Sequence, residues 1–385
     1  MVCPDVQISN VKEHPGCFII PPTILKMIAK NGTEKQKKDA ERNIESITSI
    51  RGRRLSLLRP TMPSGEKTLT TFLKAALNRL VYNAGHGSSL QQELARKEGE
   101  GTTGDNDIDK AYAYSGDAYK LFKEAFGRKS IDNNGMSLVS TVHYVEPAED
   151  YYNNASWNGE QMIYGDTDPA IFKTVLLRTV SAHEMGHGVV QYEGGLTYQK
   201  DTGAINEHFA DVFGILGEQI TESQDVDQSN WLIGEGIWAD SINGESLRSM
   251  SNPGSAYNDP LVGKDPQPKH MNGYVDLPID MFNDWGGVHI NSGIPNCAFY
   301  KAAKNLGGYA WETAGPIWNA ALKVLPGKPN ATTFQDLANT TSEICRQLFE
   351  NDKEKQDAVY KAWKEVGLEP QKIRGREFIN LLVSS

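Results

Sequence analysis

Cysteine is scarce. Cys3, Cys17, Cys297 and Cys345 are the four in 385 residues, and no two stand at the spacing of a zinc ribbon or redox pair. They define neither a disulfide framework nor a metal site, and they do not report a compartment. Long apolar runs are missing as well, since nothing approaches the roughly 20 residues that a bilayer span needs. Residues 174–190 come nearest and are broken by Arg178, His183, Glu184 and His187, so no membrane role is expected. At the start of the chain, Pro4, Asp5, Lys12, Glu13, His14 and Pro15 fall where a secretory signal needs uninterrupted apolar residues. No signal peptide is visible, which leaves a cytoplasmic precursor or export by a non-classical route. Basic charge is in deficit: 39 Lys and Arg against 49 Asp and Glu give a net charge of -10, which argues against nucleic-acid or anionic-membrane partners.

What is present suits a globular chain of more than one unit. With 39% hydrophobic and 23% charged residues it can bury a real core, and its length exceeds what one core usually serves. Residues 22–50 set Ile24, Leu25, Ile28, Ile44 and Ile47 around the charged stretch GTEKQKKDAER, the pattern of a small helical module. RGRRLSLLRPTMPSGEK follows, with the composition of an exposed, cleavable linker. From 68 to 168 short strand-like alternations such as SLVSTVHYV appear. Beyond 168 the apolar spacing turns helical, and no internal repeat is found.

The stretch SAHEMGHGV places His183 and His187 four apart, so on a helix both imidazoles project from one face within reach of one ion. Glu184 is rotated about 100° from His183, which sets its carboxylate beside the ion, where a general base is needed. Alone, such a match arises by chance about as readily as for a reason. In GAINEHFAD, Glu207 follows His187 by twenty positions, and Asp211 lies one helical turn on. Two His, one carboxylate and an open position make a catalytic zinc centre. Asn206 and Asp211 can then orient the rings of His187 and His183 from behind.

HEMGH, GAINEHFAD and GGVHINSG, in that order and spacing, resemble the thermolysin family of metallopeptidases, with matches from about Tyr82 into the C-terminal region. The twenty-position step fits this family better than the zinc aminopeptidases, whose step is one shorter. The resemblance implies an α+β, two-lobed fold: a strand-rich N-terminal lobe, a mainly helical C-terminal lobe, the zinc cleft between them and a small helical propeptide in front. It divides the chain into a propeptide at 1–60, an N-terminal catalytic lobe with the zinc helix at 61–190, and a helical lobe at 191–385. His289 matches the histidine that stabilises the oxyanion, Asp284 the carboxylate that orients it, and Tyr198 the second oxyanion donor. Asn154 and Ala155 match the edge-strand segment that pairs with substrate main chain. Arg248 matches the arginine that binds the carbonyl of the residue after the cut, with Val180 and Leu247 in the apolar pocket for its side chain. The implied activity is zinc-dependent endopeptidase cleavage before bulky hydrophobic residues, with a peptide or protein as substrate.

Departures are informative. Gly186 stands where the family commonly has Thr, and with Gly188 it costs the helix roughly 1 kcal/mol per Gly relative to Ala. The family's double calcium site falls on Thr179, Glu218, Asn230, Leu232 and Glu235, of which two keep a carboxylate; the expectation is at most one weak calcium. Trp285 replaces a smaller polar residue beside His289, which is expected to reshape the cleft. The N-terminal module, with PPTIL at 21–25, is similar to the short propeptide of protealysin-like members, and is expected to cover the cleft until cut between 51 and 63. A thiolate from Cys3 or Cys17 on the latent zinc is the minor alternative, and a peptide-binding pseudoenzyme the rival reading of the whole chain.

Overall fold

A six-stranded sheet runs in the order β1-β5-β6-β4-β2-β3, and its first strand comes from far away in sequence. The strands are β1 (Cys17–Phe18), β2 (Arg79–Gly87), β3 (Glu93–Lys97), β4 (Leu138–Tyr144), β5 (Ala155–Trp157) and β6 (Met162–Gly165). In this computed structural model residues 17–57, 77–147, 149–193, 195–325 and 331–373 are described, with the backbone alone at 17, 46 and 48–57. β2, β4 and β6 are parallel neighbours, while β1 on β5, β5 on β6 and β2 on β3 are antiparallel.

Pro21 and Pro22 end β1 and start the next element. Proline cannot continue a ladder, yet its fixed φ suits the first turn of a helix, and α1 (Pro22–Asn31) begins there. α1 folds back on α2 (Glu34–Leu57), burying Ile24, Leu25, Ile28, Ala40, Ile44 and Ile47. The module is therefore a helix pair with a strand at its front, not helical throughout. α2 also takes in residues 51–57 of the sequence read as linker, because RGRRLSL is mostly good helix former and the first proline comes at Pro60. The rest of the expected cleavage region, and Cys3, lie outside the described residues. Buried Asn43 fastens α2 down: its amide donates to Glu149 Oε2 (3.1 Å) and the Tyr151 carbonyl (3.4 Å), and its Oδ1 accepts the Asn153 N–H (3.0 Å).

Behind the sheet lie α3 (Asn106–Phe126) and α4 (Arg178–Glu193), and α5 (Lys200–Glu222) packs on both of them. α4 and α5 approach closely through small residues. A Cβ on Gly186 would meet the Ala210 Cα at 3.1 Å, and one on Gly214 the Thr179 carbonyl at 2.8 Å. Of the two glycines that look like a helix weakness, Gly186 thus permits the close α4–α5 contact that brings the metal-binding faces together, while Gly188 makes room on the opposite side for Ile131 and Trp157. The helical lobe continues with α6 (Asp284–Asn291), α7 (Gly293–Leu306), α8 (Ala314–Val324), α9 (Phe334–Leu348) and α10 (Lys353–Glu365), around fully buried Phe299, Trp318 and Trp363. A short pair, β7 (Leu232–Ile233) and β8 (Arg248–Ser249), sets Arg248 facing α5. No described helix is long and apolar enough to cross a membrane.

Candidate active site and metal centre

His183 and His187 on α4 and Glu207 on α5 converge in a fully buried cluster. His183 Nε2 stands 3.0 Å from His187 Nε2 and 3.6 Å from Glu207 Oε2, and His187 Nε2 is 3.3 Å from Glu207 Oε1. Facing nitrogens and a buried carboxylate oxygen, Oε2, that makes no hydrogen bond among the described residues would be costly by themselves. The donor set and its arrangement fit a zinc ion.

The outward nitrogens are both held. Asp211 Oδ1 accepts from His183 Nδ1 at 2.8 Å, and Asn206 Oδ1 from His187 Nδ1 at 2.8 Å, so each Nε2 lone pair faces the centre. Asp211 also accepts from Arg248 Nε (2.9 Å) and Nη2 (2.7 Å) and from Asn296 Nδ2 (2.8 Å). Burial alone would raise the pKa of this carboxyl, but Arg248 and His183 outweigh it and hold the group well below the usual range. Asn296 in turn accepts His208 Nδ1–H at 2.7 Å, and Trp318 Nε1 donates to His208 Nε2 at 2.7 Å. Desolvation pushes His208 down to about 4, so this neighbour of Glu207 is a neutral structural link.

Glu184 is buried, and its Oε2 accepts the Trp157 N–H at 2.8 Å, which turns the carboxylate toward β5. Across the cleft, Asp284, Trp285, Gly286 and Gly287 are all left-handed, with φ of 53°, 48°, 91° and 82°. This costs Asp and Trp strain that Gly does not pay. Asp284 Oδ2 accepts the His289 N–H (2.8 Å) while Oδ1 takes Nδ1–H (2.5 Å), which fixes the ring and leaves Nε2 in the cleft. Burial pulls His289 down, yet Asp284 and Glu207 hold it up at about 9. The Tyr198 hydroxyl donates to Glu207 Oε1 and lies 3.1 Å from His289 Nε2. Trp285 packs edge-on against Tyr198, ring centroids 5.9 Å apart, so it buttresses that ring.

The strand edge expected to pair with substrate is already paired. Ala155 O accepts the Ile19 N–H (3.1 Å), and Asn154 Oδ1 accepts the Ile20 N–H (3.0 Å) while its amide donates to Ile20 O (3.4 Å). Arg248 Nη1 reaches Ile19 O at 3.5 Å, and Phe18 O faces His289 Nε2 at 3.0 Å. Val180 and Leu247 are buried, as are Phe18, Ile19 and Ile20. Sequence reasoning missed Phe18–Ile20, the Trp157 N–H and Asn296. The first had a usable signal, the apolar run CFII stopped by two prolines.

The calcium region has its own cation. Arg178 Nε donates to Asp117 Oδ2 (2.8 Å) and Nη1 to Glu222 Oε1 (2.6 Å). Thr179 Oγ1 accepts the Gly234 N–H (3.0 Å), Asn230 donates to Glu235 (2.8 Å), and Leu232 is buried. Burial pushes Glu218 up to about 7, with Glu235 and Glu222 adding to the effect against Arg178.

Residues 67–191 match the family described as the thermolysin metallopeptidase catalytic domain, and residues 194–368 match its alpha-helical domain. An extracellular metalloprotease of Pectobacterium carotovorum is 41% identical over 365 residues, covering 93% of this chain and 98% of that one. Protease PrtS of a Photorhabdus species is 41% identical over 351 residues, 91% of each. The solved precursor of protealysin, a metalloproteinase from Serratia proteamaculans, superposes with a TM-score of 0.77 at 41% identity, covering 91% of this chain and 99% of that one.

Proposed function

Since the chain belongs to the thermolysin family of metallopeptidases and is a zinc-dependent metalloendopeptidase, we propose that it cleaves before bulky hydrophobic residues and that its own N-terminal module, read as the propeptide of residues 1–60, holds it latent. The observation that supports this most is the seating of Phe18–Ile20. The Phe18–Ile19 peptide lies where a scissile bond would, its carbonyl on His289, and the next carbonyl is on Arg248. Ile19 is therefore at the position after the cut, and it is a buried, branched aliphatic residue. His183, His187 and Glu207 would hold the family's zinc, which when bound would supply Lewis-acid polarisation of a scissile carbonyl and a more acidic water. Glu184 takes the water's proton and later delivers it to the leaving amine. His289 and Tyr198 donate to the developing oxyanion, Asp284 aims His289, and Asn154, Ala155 and Arg248 grip the main chain.

Mass spectrometry of cuts in an amino-blocked peptide library tests both halves. Enzyme freed of its N-terminal module should cut mainly before Leu, Ile, Val and Phe. The intact chain should be nearly silent. A flat distribution at that position, or a need for a free amino terminus, would sink the specificity. Full activity at unprocessed intact mass would sink the latency.

The acidic pocket around Glu218 and Glu235 is proposed to need no calcium, because Arg178 supplies its positive charge. A calcium-selective chelator should then move the melting temperature by less than about 1 °C, a shift worth under about 1 kcal/mol. A larger fall, restored by calcium, would reinstate the ion.

A further inference from the structure

The parallel neighbours β2, β4 and β6 end on the same side of the sheet, and near those ends stand His86, His143 and Asp166. One Asp166 oxygen meets His86 Nδ1 at 2.6 Å, and the other meets His143 Nδ1 at 2.9 Å. One donor atom from each of the three residues lies within 4.8 Å of the other two. The far nitrogen of His143, Nε2, is 3.1 Å from Asp105 Oδ2, on the carboxylate that also caps α3. Holding the second N–H of an imidazole with a carboxylate is how metal sites fix a ligand ring.

The backbone bends to achieve this. His86 and His143 have φ of 59° and 55°, a left-handed conformation that side-chain-bearing residues adopt only at a cost. The β2–β4 ladder shifts register between Asn83 and Gly87, and the β4–β6 ladder between Thr141 and Tyr144. Those irregularities turn both rings toward Asp166, with centroids 4.9 Å apart. His143 and Asp166 are largely covered, whereas the His86 side chain is 71% exposed and gives an ion access from solvent. None of these residues takes part in the proposed peptide hydrolysis.

We propose that His86, His143 and Asp166 form a second, non-catalytic site for a first-row divalent metal ion of the zinc type, with Asp105 fixing the His143 ring and water completing the coordination. Two imidazole nitrogens and a carboxylate oxygen suit zinc, cobalt or nickel, whereas calcium and magnesium ask for oxygen throughout. Donors about 2.0–2.1 Å from a tetrahedral ion stand roughly 3.4 Å apart, so the present contacts must open by some tenths of an ångström. The exposed His86 ring has the freedom to do so. Bound there, the ion ties three strand ends to the start of α3.

The test is a calorimetric titration of the full-length chain, prepared with one zinc per molecule, using zinc chloride alone, with elemental analysis after gel filtration. The wild type should take up one further equivalent. His86→Asn, which tolerates the left-handed backbone, should lose that equivalent and keep the first, and Asp166→Asn should weaken it at least about tenfold. A wild type that stays at one zinc, with His143 as an imidazolium clasped by two carboxylates, overturns the proposal. So does a second equivalent that His86→Asn binds as tightly as the wild type.

Discussion

Glutamine in place of Glu184 should lower kcat for a peptide about a thousandfold to ten-thousandfold while zinc content and melting temperature hold. Positioned proton transfer is worth about 10² to 10⁴ in rate, and Glu184 is proposed to serve twice, toward the water and toward the leaving amine. In barrier terms the loss is about 4–5.5 kcal/mol. Glutamine has the same shape, and its amide oxygen can still accept the Trp157 N–H that the carboxylate now takes at 2.8 Å. The fold therefore has little reason to respond. The measurement is kcat on enzyme whose N-terminal module has been removed by an added protease, beside elemental zinc analysis. A variant with one zinc and more than about a tenth of the wild-type rate would mean that the general base is another group.

Alanine at Asp211 should instead strike stability and metal together. Its carboxylate is fully buried and serves Arg248, His183 and Asn296 at once. Removing it leaves the guanidinium of Arg248 buried without its counter-charge, and breaking such a pair from one side costs about 3–5 kcal/mol. The melting temperature should fall by roughly 4–6 °C. His183 also loses the acceptor that fixes its tautomer, so zinc affinity should drop about 10- to 100-fold. The double replacement Asp211→Leu with Arg248→Met separates the two effects, since an apolar pair of similar volume should recover most of the stability but none of the metal affinity. If the single alanine variant melts within about 2 °C of wild type, the buried pair is not what holds α5 to β8.

The metal centre was legible because its parts are local. His183, His187, Glu207 and Asp211 lie on two consecutive helices, and helical spacing alone predicts which of them share a face. His289 and Asp284 were recognisable from their motif, although the run of left-handed residues that aims them is a backbone property no residue pattern announces beyond Gly286 and Gly287. The helix pair of the N-terminal module could be read from Ile24, Leu25, Ile28, Ile44 and Ile47. Its docking could not. The contact of Ile20 with Asn154 spans 134 positions, and that of Phe18 with His289 spans 271. Pairings of that separation depend on the assembled sheet, as does the meeting of His86, His143 and Asp166. The benefit of Gly186 was hidden for the same reason, because its cost is local and its benefit lies in the α5 backbone opposite.

The sheet has a further consequence at its β5 margin. With β1 in place, that margin is closed by the chain's own segment. Were the segment released, as proposed, β5 would present unpaired main-chain groups to solvent, the kind of open edge that invites aggregation and that soluble proteins usually blunt with charge, proline or a covering element. A hydrolase can tolerate such an edge for a reason other folds lack: an extended polypeptide that adds to it lies across the cleft and is severed. Its stickiness is cleared by its own turnover. The stage most exposed to self-association is then the interval when the edge is open and the zinc has been withdrawn.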